Sequence, residues 1–502
     1  MGAALKSARA RPRIALTAGL LAAAYVATRL ALLWRFPWFV DETTFADFAR
    51  TVHGDAGQLF VAEGDKKGLL PSWLGAALIG GGVGPVTAMR LLAAAGAALA
   101  ALCGGILMRR LYGLREGLVT AGLIALGPYF LVTASVGIYD AMVTGIVAAG
   151  VLVSLWLVVR PRPYTALLLG LILGAGGLTK PTTWVAVVVL PFTLLLFDWS
   201  SAARRRRLLI WGANALLAVV VGYALTSIAR FSPLYDQPIR EENHRGVSQL
   251  FDDFWPTVRT NGPPLWDALH GYLTYPGIAL ALVGAVVAVR RSPAAAAILG
   301  IWTVTVLVSA LLLTLHAYPR YFAAAIVPLS GLIALGAFAL GDALLAAWGR
   351  RAPGAAIAVG IVAALALLPA VVFDARVLAD PVGARYPALD EDQYVLLTSA
   401  QSPIPAVARA IERRGGPYPV WVDVGLGYPW GLSIELNGAG IPPATRFRVF
   451  SYGTPQQLRA ARFLVTDGET GDASPRPGFR LVGRFARPRD GAVMRLYARV
   501  RA

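Results

Sequence analysis

Cysteine is nearly missing from these 502 residues: the one thiol, Cys103, sits inside an apolar run. A single cysteine excludes an intrachain disulfide and a thiolate metal centre built from this chain alone, and it says nothing about redox compartment. Histidine is scarce too. The four, His53, His244, His270 and His316, fall between apolar runs, and no two share metal-ligand spacing on one helix, so no metal is assigned. The C-terminal part has no Gly-rich phosphate fingerprint at a strand-to-helix turn and therefore gets no nucleotide. Charge is thin: only 15% of residues carry it, and long runs of Leu, Ala, Val and Gly carry none.

What remains is apolar. The chain is 57% hydrophobic with a mean hydropathy of +0.61, which excludes an ordinary soluble domain and implies a polytopic membrane protein. The net charge of +18 comes from 46 basic against 28 acidic residues, but the basic ones stand in short clusters between apolar runs. Such spacing reports topology, so the expected partner is a lipid bilayer and nucleic acid is excluded.

Lys6, Arg9, Arg11 and Arg13 precede an apolar stretch at 14–33 that ends at Trp34 and Trp38. A signal peptide would be shorter and end in a small-residue cleavage site, so this reads as a retained first span with a cytoplasmic N-terminus. An outer loop at 34–84 follows, within which 43–52 has the pattern of a short helix lying in the interface. Further spans are expected at 85–108, 116–133 and 139–159, on either side of Thr179-Lys180-Pro181, and at 208–228. The basic cluster Arg204 to Arg207 marks the cytoplasmic side. A second outer loop, 230–272, has a length usual for a functional or lid-like segment. Spans eight and nine are parted by Arg290-Arg291, nine and ten by 316–321, and the last runs 355–373. The count is about eleven, with every strong basic cluster on one side.

From Asp374 the composition turns soluble. Runs at 394–398, 419–424, 447–452, 463–466, 479–485 and 493–500 read as strands, and 404–414 and 455–461 as helices. The fold class is thus mainly α: a polytopic helical bundle over 1–373 with a small extracytoplasmic α/β domain over 374–502.

Just past the first span, Phe39-Val40-Asp41-Glu42-Thr43-Thr44-Phe45 sets two carboxylates side by side at a membrane boundary, where acids are costly. The competing reading is a helix N-terminus dressed with acids. An outward-facing acid amid basic groups suits one chemistry well. A sugar on a lipid phosphate has an anionic leaving group that needs cations, while the attacking hydroxyl needs a positioned carboxylate.

These residues resemble those of the GT-C integral-membrane glycosyltransferases, in the branch of bacterial members that includes protein O-mannosyltransferases and lipid A aminoarabinose transferases. Asp41-Glu42 with Phe45 is similar to that family's first-loop acidic motif. Lys67-Gly68-Leu69-Leu70-Pro71-Ser72-Trp73 is similar to its lysine motif without the two early prolines, which leaves Lys66 and Lys67 both open as the motif lysine. Arg90, Leu111-Tyr112-Gly113, Asp140, the Gly177 to Pro181 run, Arg320-Tyr321-Phe322 and the tail from Asp380-Pro381 to Gln393-Tyr394 follow in the family's order. The resemblance implies Asp41 as the carboxylate activating the acceptor, Glu42 supporting it, and Lys67 and Arg320 binding the donor phosphate. Arg90, Asp140, Lys180 and Lys66 follow as further substrate-binding candidates. It implies an inverting transfer of a sugar from a polyprenyl-phosphate donor to a lipid, glycan or protein acceptor at the outer face of the cytoplasmic membrane. No cofactor is required, and a divalent cation stays open. A lipid-linked sugar flippase is the rival, though no matching broken halves are visible in the sequence. A silent scaffold is the third reading.

Overall fold

The computed structural model describes residues 2–237, 253–348, 353–415, 420–424, 429–441, 445–451, 454–468, 477–489 and 491–500. Among them, eight helices are long and apolar enough to cross a membrane: Ile14–Leu32, Pro85–Leu111, Tyr139–Val159, Arg204–Phe231, Phe254–Arg291, Pro293–Leu312, Pro319–Trp348 and Val359–Ala379. The other three expected spans are present as short or interrupted apolar helices, at Leu114–Leu126 with Pro128–Thr133, at Pro163–Gly177 and at Pro181–Leu196.

In chain order the helices are α1 Gly2–Leu32, α2 Val40–Gly54, α3 Leu69–Gly80, α4 Pro85–Leu111, α5 Leu114–Leu126, α6 Pro128–Thr133, α7 Tyr139–Val159, α8 Pro163–Gly177, α9 Val185–Val189 and α10 Arg204–Thr226. They continue with α11 Phe254–Arg291, α12 Pro293–Leu312, α13 Ile326–Trp348, α14 Pro353–Ala379, α15 Ala388–Glu391, α16 Ile404–Gly415, α17 Trp430–Asn437 and α18 Pro455–Ala460.

Proline sets where the spans break. Gly127 is extended (ψ 158°) and Pro128 starts α6, because a residue before proline is driven out of helical geometry. The carbonyls of Ala125 and Leu131 beside the break accept from the buried Arg29 guanidinium at 2.8 and 3.1 Å, which satisfies two backbone groups there. The helices cross closely where both sides carry glycine. A Cβ on Gly96 of α4 would lie 2.3 Å from the Met142 backbone of α7, and one on Gly284 of α11 would lie 1.8 Å from the Leu332 carbonyl of α13.

Two expectations are corrected in these segments. The 43–52 helix is longer, Val40–Gly54, and does not lie free in an interface: Glu42 to Ala46, Phe48 to Arg50 and Val52 are buried against α3, α4 and α17. The apolar face read as facing lipid faces protein. The outer loop 230–272 is helical from Phe254, since Pro263 and Pro264 are carried inside α11, whose break falls at Thr274 (φ 62°). Residues 238–252 of that loop, with His244, lie outside the described residues.

The C-terminal sheet comprises β1 Val420–Val424, β2 Phe447–Phe450, β3 Phe463–Gly468, β4 Phe479–Ala486 and β5 Val493–Arg499, in the order β2-β1-β3-β5-β4. β1 runs parallel to β2 and β3, while β5 is antiparallel to β3 and β4. Helix α16 lays Val407, Ala408 and Ile411 on Val422, Phe463, Val465 and Leu496, a core separate from that of the bundle. The stretch 394–398, read as a strand, is instead mostly a π-helical turn, Asp392–Leu396. Its β-branched and aromatic side chains pack into the bundle core rather than onto the sheet.

Between the last span and the sheet, the chain doubles back onto the start of α2. Val40 N donates to Ser399 O at 2.9 Å, Gln401 N donates to Trp38 O at 2.7 Å, and Phe39 pairs with Ala400 in an antiparallel bridge. The Thr43 hydroxyl lies 2.9 Å from Gln401 Oε1. This two-stranded clasp fixes the backbone from which Asp41 projects.

Candidate active site

Four of the sequence candidates stand at helix starts, each put there by extended backbone in front of it. Phe39 (φ −118°, ψ 146°) precedes α2 and its first-turn acids Asp41 and Glu42. Ile138 (φ −101°, ψ 158°) precedes α7, with Asp140 in its first turn. Lys180 (φ −165°, ψ 137°) and Tyr318 (φ −65°, ψ 144°) each precede a proline that begins a 3₁₀ turn, Pro181–Trp184 and Pro319–Ala325. Lys180 thereby leaves the axis of α8, and Arg320 sits in the opening turn of its helix.

These four side chains form two linked ion pairs. Arg320 Nη2 is 3.0 Å from Asp41 Oδ2, and Lys180 Nζ is 2.7 Å from Asp140 Oδ1. The Tyr321 ring joins them, with the Arg320 guanidinium 5.6 Å and the Lys180 ammonium 4.7 Å from its centroid. Tyr318 and Phe39 close further on Arg320, at 4.7 and 5.3 Å. The second arm of the guanidinium donates from Nη1 to Gln393 Oε1 at 2.7 Å. Asp41 keeps 30% of its side chain open, the most of the four.

Behind this cluster lies a buried phenol-carboxyl network. The Tyr272 hydroxyl donates to Asp390 Oδ2, while Asp390 Oδ1 and the Tyr394 hydroxyl have no hydrogen-bond partner among the described residues. Burial pushes Asp390 up to about 7, against a smaller opposing pull from the Tyr272 hydrogen bond and the Arg320 charge. Burial, with the Asp390 charge second, holds the Tyr394 phenol well above its ordinary range.

Glu42 is not beside the open carboxylate. It is fully buried, with Oε1 accepting from Arg90 Nε at 2.6 Å and Gly137 N at 2.7 Å, and Oε2 from Arg90 Nη2 at 2.8 Å and Phe39 N at 3.3 Å. Arg90 spends its remaining donors on the carbonyls of Leu33, Phe36 and Pro37. Neither Glu42 nor Arg90 has a hydrogen-bonding position left for a ligand, so direct contact with substrate is closed to both, while an orienting role for Glu42 through the start of α2 fits its place. The helix-start reading of the acidic pair thus holds for Glu42, which caps α2, and the open position belongs to Asp41.

The two lysines also divide. Lys66 is engaged by Glu63 Oε1 at 3.2 Å, by the carbonyls of Leu234 and Tyr235 and by the Tyr235 ring, which leaves it little for a substrate. Lys67 is exposed and has no side-chain partner among the described residues. Its loop abuts the Lys180 turn, since Leu70 N donates to Leu178 O at 3.0 Å and a Cβ on Gly68 would lie 2.1 Å from the Thr179 carbonyl.

Sequence reasoning missed the ring cage of Phe39, Tyr318 and Tyr321 and gave Gln393 no role. The run Tyr318-Pro319-Arg320-Tyr321 carried the available signal, an arginine flanked by two tyrosines at a proline-started turn. Among the described residues no three His, Cys, Asp or Glu converge as metal ligands.

No protein-family model matches the sequence, and no curated protein does. Solved structures match its fold. The ArnT of Cupriavidus metallidurans in the apo state aligns with a TM-score of 0.58 and 15% identity, over 95% of this chain and 97% of that one. The same protein bound to undecaprenyl phosphate aligns at 0.52 with 16% identity over the same shares. The Archaeoglobus fulgidus oligosaccharyltransferase in complex with zinc and sulfate aligns at 0.53 with 13% identity, over 88% of this chain and 67% of that one. The chain therefore has the GT-C type of membrane fold, a polytopic helical bundle with a small C-terminal α/β part, as its sequence motifs led one to expect.

Proposed function

We propose that this GT-C fold carries an inverting glycosyltransferase, which moves a sugar from a polyprenyl-phosphate-linked donor to a hydroxyl or phosphate of a cell-envelope acceptor at the outer face of the cytoplasmic membrane. The observation that carries the reading is Asp41: an open carboxylate beside Arg320 and next to the Lys180 turn. The acceptor class is a lipid, a glycan or a protein of the cell envelope.

In this reading Asp41 accepts the proton of the acceptor hydroxyl as its oxygen attacks the anomeric carbon, and the bond from that carbon to the phosphate oxygen breaks. The electron pair leaves with the polyprenyl phosphate, which gains one negative charge. One displacement inverts the anomeric centre, with no covalent enzyme intermediate. Charge balance supports the division of labour. Asp41 with Arg320 and Asp140 with Lys180 are neutral pairs, so the unengaged ammonium of Lys67 is the added positive charge that meets the departing phosphate. Arg320 offers its planar fork to both the carboxylate and the phosphate, a geometry lysine lacks.

A divalent ion here would have to displace existing ion pairs: Glu42 is spent on Arg90, Asp41 faces Arg320 and Asp140 faces Lys180. No step is drawn through a metal.

The test is transfer of labelled sugar from a polyprenyl-phosphate donor by the purified chain. Asp41→Asn should lower turnover by roughly 10²- to 10⁴-fold, the usual range for a lost general base. Full activity in that variant would remove Asp41 from the chemistry.

A further inference from the structure

We infer that a second anion site lies on the far side of α11 from the candidate active site and that its ligand is the phosphate headgroup of an anionic membrane lipid. A cavity of about 360 Å³ opens where α11 breaks at Thr274 and meets the end of α14. Phe373 forms one wall and its ring meets Tyr272 at 5.8 Å, while the Tyr272 hydroxyl donates to Asp390 on the other side. The cavity is thus divided from the Asp41 cluster by two packed aromatic rings.

Its lining is amphipathic. Arg376, Arg385 and His270 stand at the rim, and Pro369, Val372 and Phe373 form the apolar wall. The Arg376 side chain has no hydrogen-bond or ion-pair partner among the described residues, and its guanidinium can donate from a planar fork. Arg385 Nη1 is 2.7 Å from Glu391 Oε1, but Arg489 Nη1 is 2.9 Å from that same oxygen, so two guanidiniums share one acceptor atom. His270 is 3.7 Å from Asp267 and stacks on Tyr275. The rim therefore offers one unengaged guanidinium and a second only partly neutralised, which is the recognition chemistry of a phosphate.

A lipid fits better than a free phosphate because of what lies beneath. Leu368 and Val372 are 52% and 37% exposed on α14, and Arg376 follows at the same four-residue spacing, so all three share one helix face. That face is an apolar track ending in a cation. Trp266 and Tyr275, 49% and 63% exposed beside His270, give the aromatic level at which headgroups sit. The bound lipid would fill the groove between α11 and an end span that is otherwise poorly covered by protein, just before the chain enters the clasp on α2.

The experiment needs no turnover, so its outcome is independent of the glycosyltransferase reading. The full chain in detergent is given phosphatidylglycerol, phosphatidylcholine or inorganic phosphate, and bound lipid is counted by native mass spectrometry beside thermal unfolding. The expected result is retention of phosphatidylglycerol over phosphatidylcholine, with roughly 30-fold weaker retention for Arg376→Glu, about fivefold for Arg376→Gln and little change for Arg376→Lys. Arg376 is exposed and its side chain has no partner among the described residues, so these variants should fold, and unfolding without added lipid checks that they do. Equal retention of both lipids, undiminished phosphatidylglycerol on Arg376→Glu, or displacement of lipid by inorganic phosphate at matching concentration would each overturn the proposal.

Discussion

Two arginine-carboxylate pairs grow from adjacent residues of α2, and they differ in almost every physical respect. Glu42 with Arg90 is closed: both side chains are buried, and backbone donors and acceptors take every remaining valence. Asp41 with Arg320 is open: it has a single 3.0 Å contact, a partly exposed carboxylate and a guanidinium steadied by rings and one amide. A buried pair contributes little net stability against an apolar substitute, yet it is very costly to break on one side. The closed pair therefore fixes where α2 begins, while the open pair keeps its carboxylate accessible, as the proposed role of Asp41 requires.

The comparison is tested most severely by breaking the closed pair. Arg90→Ala or Glu42→Ala leaves an uncompensated buried charge, and chemical unfolding or detergent thermal stability should drop by about 3–5 kcal/mol. Asp41→Asn should stay within about 1 kcal/mol of the parent in the same measurement, as a partly exposed pair contributes little. If the two substitutions cost the same, the division between them is wrong.

A smaller effect is expected at Gln393. Gln393→Ala removes a hydrogen bond to a charged group, about 1.5–3 kcal/mol in such settings, and should weaken donor binding or turnover roughly tenfold or more while leaving the fold intact. Gln393→Glu should restore the acceptor and shift the pH profile, a signature that a purely structural side chain would not give. Smaller again is the contrast between the lysines. Lys67→Gln should reduce turnover with no measurable change in stability, whereas Lys66→Gln should loosen the Glu63 and Tyr235 contacts and be felt mainly as stability, by under about 1 kcal/mol.

Asp390 supplies the pH test. Its folded pKa of about 7 lies above the ordinary carboxylate value, so the fold favours the protonated form. That contribution is complete below the unfolded pKa, declines as pH rises and is lost once pH passes the folded value. Stability should fall with a slope of at most one proton, about 1.4 kcal/mol per unit, between roughly pH 4 and 7. Asp390→Asn should flatten that window, and an unchanged slope would show that another group governs it.

Much of this arrangement was legible before any coordinates. Asp41 and Arg320 stand out in the sequence because a charge beside an apolar run is costly, with Asp140 and Lys180 only as further candidates behind Glu42 and Lys67. Their assembly follows from the helix starts. What could not be read is which partner each charge finds: nothing local says that Glu42 turns toward Arg90, 48 residues on, while its neighbour turns away. The Asp392–Leu396 turn was misread because Tyr394, Val395 and Leu396 have strand-forming side chains, and tertiary packing overrode that preference. The helical part of 230–272 was hidden by Pro263 and Pro264, which a long helix retained. The five strands around the sheet were clear, since their alternation and glycine-rich boundaries are local signals.

The clasp between residues 38–40 and 399–401 has a consequence in time. Thr43 waits for Gln401, 358 residues later, and the start of α2 for Ser399. During synthesis all the spans are made before that partner strand exists. A nascent or truncated chain can thus be fully threaded into the bilayer while the backbone carrying Asp41 is still unpinned. The strand that pins α2 follows the last span, so the start of α2 is fastened late in synthesis, with the five-stranded sheet still to come.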